Sequence, residues 1–137
     1  MISVIICSRT KNLQSNLVFN IEKTIGIKYE LIVVDNSKNE LSIYEAYNIG
    51  INQSVNEFLC VIHDDIYIYS NNWGEKLQRI FENDRKIALI GVAGSKIKTK
   101  MPLAWWDCPE DQKAINIIQH FSLKNKKKEY WNFGYAN

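Results

Sequence analysis

No stretch of this chain is apolar for long enough to cross a membrane; none approaches the roughly 18 residues that a spanning helix needs. Charge of either sign is scarce in excess. Seventeen Lys and Arg stand against 15 Asp and Glu, and a net +2 is too small to argue for a nucleic-acid partner. Cysteine is sparse and odd in number: Cys7, Cys60 and Cys108, at no spacing that matches a zinc motif. Cys7 and Cys60 sit inside apolar runs, where a thiol behaves as a small hydrophobe. Buried free thiols are therefore expected, as in a reducing cytosol. The opening Met-Ile-Ser-Val-Ile-Ile has neither a basic stretch nor a small-residue cleavage site, so it reads as a first strand and not as a signal peptide. There is no internal repeat and no low-complexity segment. What remains is ordinary for a soluble globular chain: 137 residues, 46% hydrophobic and 23% charged. One domain over residues 1–137 is expected, with a βαβ core over 1–94 and an irregular, partly β extension over 95–137.

Short apolar runs alternate with helical patterns. Ile2 to Cys7, Tyr29 to Val34, Glu57 to Ile62 and Ile87 to Ala93 read as buried strands. Between them lie three helical stretches. Residues 11–25 end at Gly26, a natural helix stop. The second begins at Ser42, with Glu45 three residues on as a capping-box partner. The third begins at Asn71 or Asn72 and runs through Trp73, Leu77, Ile80 and Phe81. Nearly continuous apolar strands imply burial on both faces. The expected fold class is therefore α/β and Rossmann-like: a mostly parallel sheet with helices on both faces. Right-handed crossovers then bring every strand's carboxyl end to one edge, where ligands bind. After residue 94 the pattern loosens. Ala114 to Leu123 suits a strand or a short helix, Lys124 to Lys128 a polar turn, and Tyr130 to Tyr135 a strand with aromatics at 131, 133 and 135.

Three strand exits carry polar clusters: Ser8-Arg9-Thr10, Asp35-Asn36-Ser37 and His63-Asp64-Asp65. The last is the most informative. Adjacent carboxylates repel, and a cation, a proton or open water relieves them. Delivered to a sheet edge, they suit a divalent metal and the phosphates it bridges. Each cluster also has a plainer reading. Asp64-Asp65 could form a solvated turn, and His63 could bond to backbone. Asp35 could open an Asx-turn, and Thr10 could cap the following helix. Lys96 reads as exposed, with a phosphate contact as the alternative. Trp105-Trp106 reads as core, with a sugar-stacking platform as the alternative. Lys126-Lys127-Lys128 reads as a solvated loop, with a membrane surface as the alternative. His120 reads as structural.

The ordered segments Ser3-Val-Ile-Ile6, Glu30 to Ser37, Ala46-Tyr-Asn-Ile-Gly50 and His63-Asp64-Asp65, followed by Trp73 and Gly91-Val-Ala-Gly-Ser95, resemble the bacterial family 2 glycosyltransferases. That family has the nucleotide-sugar-binding GT-A fold. The resemblance implies an inverting, metal-dependent transfer of sugar from a nucleotide-diphosphate donor, most naturally a UDP-sugar, to a saccharide or lipid-linked acceptor. Asp35 would bind base or ribose, and Asn48 would lie near the diphosphate. Asp65 would match the last acid of the family's Asp-x-Asp motif and hold Mn2+ or Mg2+. His63 replaces the first acid and can still bind manganese. Asp64 takes the variable middle position and is counted with the nucleotide-binding residues, as are Arg9 and Thr10. The catalytic base is not identifiable. The family's pattern runs on for roughly another hundred residues, so this chain is expected to be a donor-binding part without its acceptor half, inactive by itself. Its location is expected to be cytoplasmic, with peripheral contact at the inner membrane face as the alternative, and self-association through exposed apolar surface is expected. A non-catalytic nucleotide-sugar-binding module is the runner-up. A phosphorylation receiver is disfavoured, because its acidic pair follows the first strand.

Overall fold

The computed structural model describes residues 1–98, 100, 104, 106–121 and 129–132, and for residues 120, 121 and 129–132 the backbone alone. The chain divides into two compact units, residues 1–88 and 89–137. In the first unit β1 (Ile2–Ser8) is buried at every position, because it is the middle strand of a three-stranded sheet. It pairs in parallel with β2 (Tyr29–Asp35) on one side and β3 (Phe58–His63) on the other. The α/β class expected from the sequence is the one observed.

Side chains alternate across the sheet. Ile2, Val4 and Ile6 of β1 meet Leu17 and Ile21 of α1 (Ser15–Thr24), Ile25 just after it and Trp73 of α3 (Trp73–Asn83), and Phe58, Cys60 and Ile62 of β3 join that core. On the other face Cys7 and Val34 pack with Ala46 of α2 (Ile43–Gln53). Gly50 of α2 sits so close to β1 that a β-carbon there would lie 2.3 Å from Ile5 Cγ2. α1 and α2 thus lie on opposite faces. The chain passes from β1 to β2 over one face and returns across β1 to β3 over the other. The exits of β1 and β3 therefore flank the point where the winding reverses, the crevice where open α/β sheets take ligands, with the β2 exit beside it.

The expected capping box forms: Ser42 Oγ accepts the Glu45 N–H, and the Glu45 carboxylate accepts the Ser42 N–H. Gly26 follows α1 at φ 77, a left-handed conformation that glycine adopts without strain. Two expectations are corrected. α1 starts at Ser15 behind Gln14, so Thr10 is not its cap. Instead the Thr10 hydroxyl donates to Asn12 O across a turn. Of the run Ile87 to Ala93, expected to be a strand, only Ala93 lies in one, as the first residue of a short strand that starts there. Its half-buried apolar residues, Ile87, Ile90 and Ala93, recur every third position, which does not fit a strand's two-residue alternation, and Leu89 is 88% exposed.

In the second unit β4 (Ala93–Ser95) pairs antiparallel with β5 (Lys113–Ile115), and β6 (Ile118–Phe121) with β7 (Glu129–Asn132). A single 3-10 turn, Glu110–Gln112, precedes β5. Of Ala114 to Leu123, expected to form a strand or a short helix, Ala114–Ile115 and Ile118–Phe121 are strand, and Ser122 and Leu123 lie outside the described residues; the aromatic strand is present as far as Asn132. Trp105, Lys126 to Lys128, Phe133, Tyr135 and the side chain of His120 lie outside the described residues. Among the described residues no helix is long and apolar enough to cross a membrane, and Cys7, Cys60 and Cys108 are all free.

Candidate functional site

Register places the three exits side by side. Ser8 lies opposite Asp35, and Cys7 lies opposite both Val34 and His63. Ser8 is fully buried, and its hydroxyl donates to Thr10 O at 2.8 Å, which turns the chain out of the sheet. That turn sends Arg9 across to the β3 exit. The Arg9 N–H donates to Asp64 Oδ2 at 2.7 Å, its Nε donates to Asp64 Oδ1 at 2.9 Å, and its Nη2 donates to Asp65 Oδ2 at 2.8 Å. One guanidinium therefore relieves the repulsion between the adjacent acids.

The two acids are not equivalent. The Asp64 side chain is only 10% exposed and both its oxygens are engaged by Arg9, whereas the Asp65 side chain is 59% exposed and lends Arg9 one oxygen. Burial pushes the Asp64 carboxyl up, but the Arg9 N–H, the guanidinium hydrogen bond and the guanidinium charge together outweigh it. The net pKa lies below the ordinary value of 3.8. Asp64 is thus an ionised clamp that joins the β1 and β3 exits, and Asp65 is the acid turned to solvent.

At the β2 exit the Ser37 N–H donates to Asp35 Oδ1 at 2.9 Å, and this bond lowers the Asp35 pKa. The Asx-turn is therefore present and holds an exposed carboxylate in place. The next residue, Asn36, is fixed from both ends: its N–H donates to Ser8 O, and its amide exchanges two hydrogen bonds with the Leu41 backbone. His63 faces α2, with its ring 6.5 Å from that of Tyr47. Tyr47 is half-buried, and its pKa is raised first by burial and then by nearby Cys7, Asp64 and Asp65. The sequence reading passed over Tyr47 as a site residue, although it stands within a segment singled out on other grounds.

Arg9, Asp64 and Asp65 are thus joined, with Asp35 at the neighbouring exit. Asn48 stands apart, exposed and six residues into α2, and its side chain has no hydrogen-bond partner among the described residues. Thr10 contacts its own turn. Burial lifts the Cys60 thiol to about 11, so it stays protonated at neutral pH. Lys96 is exposed and bonds through its N–H to Gln112 O, and Trp106 is exposed. No group of three His, Cys, Asp or Glu side chains gathers among the described residues. A divalent cation at Asp65 would take most of its ligands from phosphate and water, which is how Mg2+ is usually held. The donor set fits that manner of binding and not a protein cage. A shallow hollow bordered by Met1, Ile25, Gly26 and Tyr29 lies at the opposite, amino-terminal edge of the sheet, away from these groups.

A model of the glycosyltransferase-like family matches residues 3–132, so the chain belongs to that family. No curated protein and no solved structure matches it.

Proposed function

We propose that this member of the glycosyltransferase-like family binds a nucleoside-diphosphate sugar across the carboxyl edge of its three-stranded sheet and transfers the sugar, with inversion, to an acceptor hydroxyl. The observation that carries the reading is the convergence of Arg9 and Asp65 with a pre-set Asp35 at the reversal of winding. In this reading Asp35 accepts hydrogen bonds from base or ribose. Asp65, with His63 as a second donor, holds Mn2+ or Mg2+, which supplies charge neutralisation for the departing diphosphate. Arg9 changes partner. Its Nη2 leaves the exposed Asp65 for a diphosphate oxygen, while its N–H and Nε stay on buried Asp64. With a cation held by Asp65 and a diphosphate oxygen on Arg9, neither acid would be left bare.

Calorimetry with UDP, with and without MnCl2, tests this. Binding at least tenfold tighter with manganese, lost in Asp65→Ala, is the expected result. Equal affinity in both titrations would remove the bridging metal from the account. The runner-up is a module that binds nucleotide sugar without turnover. It is favoured by the fact that Asp35, Asp64 and Asp65 all have other roles here, so that none serves as the base. A single-turnover assay with labelled UDP-sugar separates the two.

A further inference from the structure

Beyond Asp65 residues 66–70, Ile-Tyr-Ile-Tyr-Ser, form neither helix nor strand, and the exposure of residues 66–69 alternates. Ile66 and Ile68 pack against the core beneath α1. Tyr67 and Tyr69 point the other way and are 63% and 59% exposed. Their rings stand edge to face, 5.0 Å between centroids. Neither hydroxyl has a hydrogen-bond partner among the described residues.

This segment is not a loose loop that happens to carry tyrosines. Between the two rings, Ile68 donates its N–H to Asn20 Oδ1 at 2.7 Å, and its carbonyl accepts from Asn20 Nδ2 at 3.0 Å. Asn20 itself is 3% exposed. A buried amide thus imitates a neighbouring strand and holds the backbone rigid at the point from which both rings project. Burying an amide is costly unless both its ends are bonded, and here both ends serve the one residue between the tyrosines. The result is a fixed pair of solvated aromatic rings, starting two residues beyond the exposed carboxylate of the site. Two residues of extended chain span at most about 7 Å.

We infer that Tyr67 and Tyr69 form a stacking platform for a saccharide ring. The inference rests on the proposed nucleotide-sugar function and names the surface on which the sugar sits. A pyranose presents a face of C–H groups with hydroxyls at its rim. An exposed aromatic ring matches that face, and a free phenol hydroxyl can bond to the rim. The order of the strand exits favours this place. Asp35 lies at β2, Arg9 at the central β1 and Asp65 at β3. A ligand laid nucleoside-first across that edge brings its sugar to Asp65; from there residues 66–73 descend along α1, with Ile68 bonded to Asn20 in the middle of that helix and Trp73 to Thr24 at its end, so the rings meet the sugar from the flank below Asp65, Tyr67 nearer and Tyr69 farther. The same chemistry serves the sugar of the donor or a sugar of the acceptor.

The test uses the full chain and saturation-transfer NMR with titrated affinities. The probes are UDP, GDP and dTDP, their glucose, galactose, mannose and N-acetylglucosamine conjugates where these exist, and a set of free oligosaccharides. Tyr67→Ala and Tyr69→Ala should each weaken saccharide binding about three- to tenfold, and the phenylalanine variants by no more than about twofold. Affinity for the bare diphosphate should not change, and circular dichroism should show the fold retained. Loss confined to the conjugates assigns the platform to the donor sugar; loss confined to the oligosaccharides assigns it to the acceptor. The inference alone is overturned if bare diphosphate binds but the alanine variants hold every saccharide as well as the parent does. It is also overturned if phenylalanine costs as much as alanine, or if bare diphosphate binding falls equally. If the parent chain binds no probe of either class, the inference and the proposed function fall together.

Discussion

Asp64 and Asp65 are neighbours in sequence, yet they should fail differently when removed. Asp64→Ala takes the acceptor from the Arg9 N–H and the anchor from its guanidinium at a nearly buried position, which should cost about 1–3 kcal/mol of stability. Asp65→Ala removes one exposed ion pair and should leave the unfolding midpoint almost unchanged while abolishing the manganese dependence of nucleotide binding. Equal losses of stability would mean that the buried clamp has been assigned to the wrong acid. The same contacts set a pH dependence. The folded-state pKa of Asp64 is depressed, so its stabilisation is present above the ordinary value of 3.8 and is lost as pH falls through the lower folded value. Denaturant midpoints should therefore drop below about pH 4, and Asp64→Asn should flatten that part of the profile, starting from a lower plateau. The sequence announced the acids and their repulsion. It could not announce which acid Arg9 buries, because the partners are 55 residues apart and meet only when β1 and β3 pair.

At the scale of elements, what could be read in advance was local or fully buried. The Ser42–Glu45 box closes within one turn, and the three strands of the sheet are short apolar runs. The run from Ile87 has a strand's β-branched composition without its alternation, since its half-buried residues recur every third position. Asn20 was invisible for another reason: a buried asparagine inside a helix has no sequence signature, and its partner, Ile68, is 48 residues away. Gly50 was noticed only as part of a motif, yet it sets how closely α2 lies on the sheet. A β-carbon at that position would meet Ile5, which is fully buried and cannot move aside. Gly50→Ala should therefore destabilise by about 1–3 kcal/mol despite alanine's better helix propensity, read as a lower thermal midpoint. Because α2 also carries Tyr47, the variant should disturb the site side of the sheet as well. Unchanged stability would show that the helix can lift off β1 freely.

At the scale of the whole molecule, the strands, helices and polar exits that build the site all belong to one compact unit. Residues 1–88 hold the three parallel strands, the three helices, both core faces, the Arg9–Asp64–Asp65 cluster, Asp35 and the tyrosine pair. Its internal ties are long in sequence and close within it. Glu30 accepts from Ser3, Ser54 donates to Ser3, and Asn56 bridges Ser3 and Glu30, joining β1, β2 and the end of α2 at the amino edge. Trp73 donates to Thr24 and Asn20 bonds Ile68, joining α1 to α3 and to the segment 66–70. A unit of this size can fold by itself when its core is closed. A fragment ending at Ala88 should therefore unfold cooperatively in denaturant and keep a circular dichroism spectrum of mixed helix and strand. It should also bind nucleoside diphosphate within about threefold of the full chain, since none of the groups assigned to nucleotide or cation lies after residue 88. Leu59 and Val61 of β3 are already partly exposed, so the fragment should be prone to associate at high concentration, and its unfolding is best followed when dilute. A fragment that is unfolded when dilute would show that residues 89–137 supply part of the core. A folded fragment that has lost nucleotide would show that they supply part of the site.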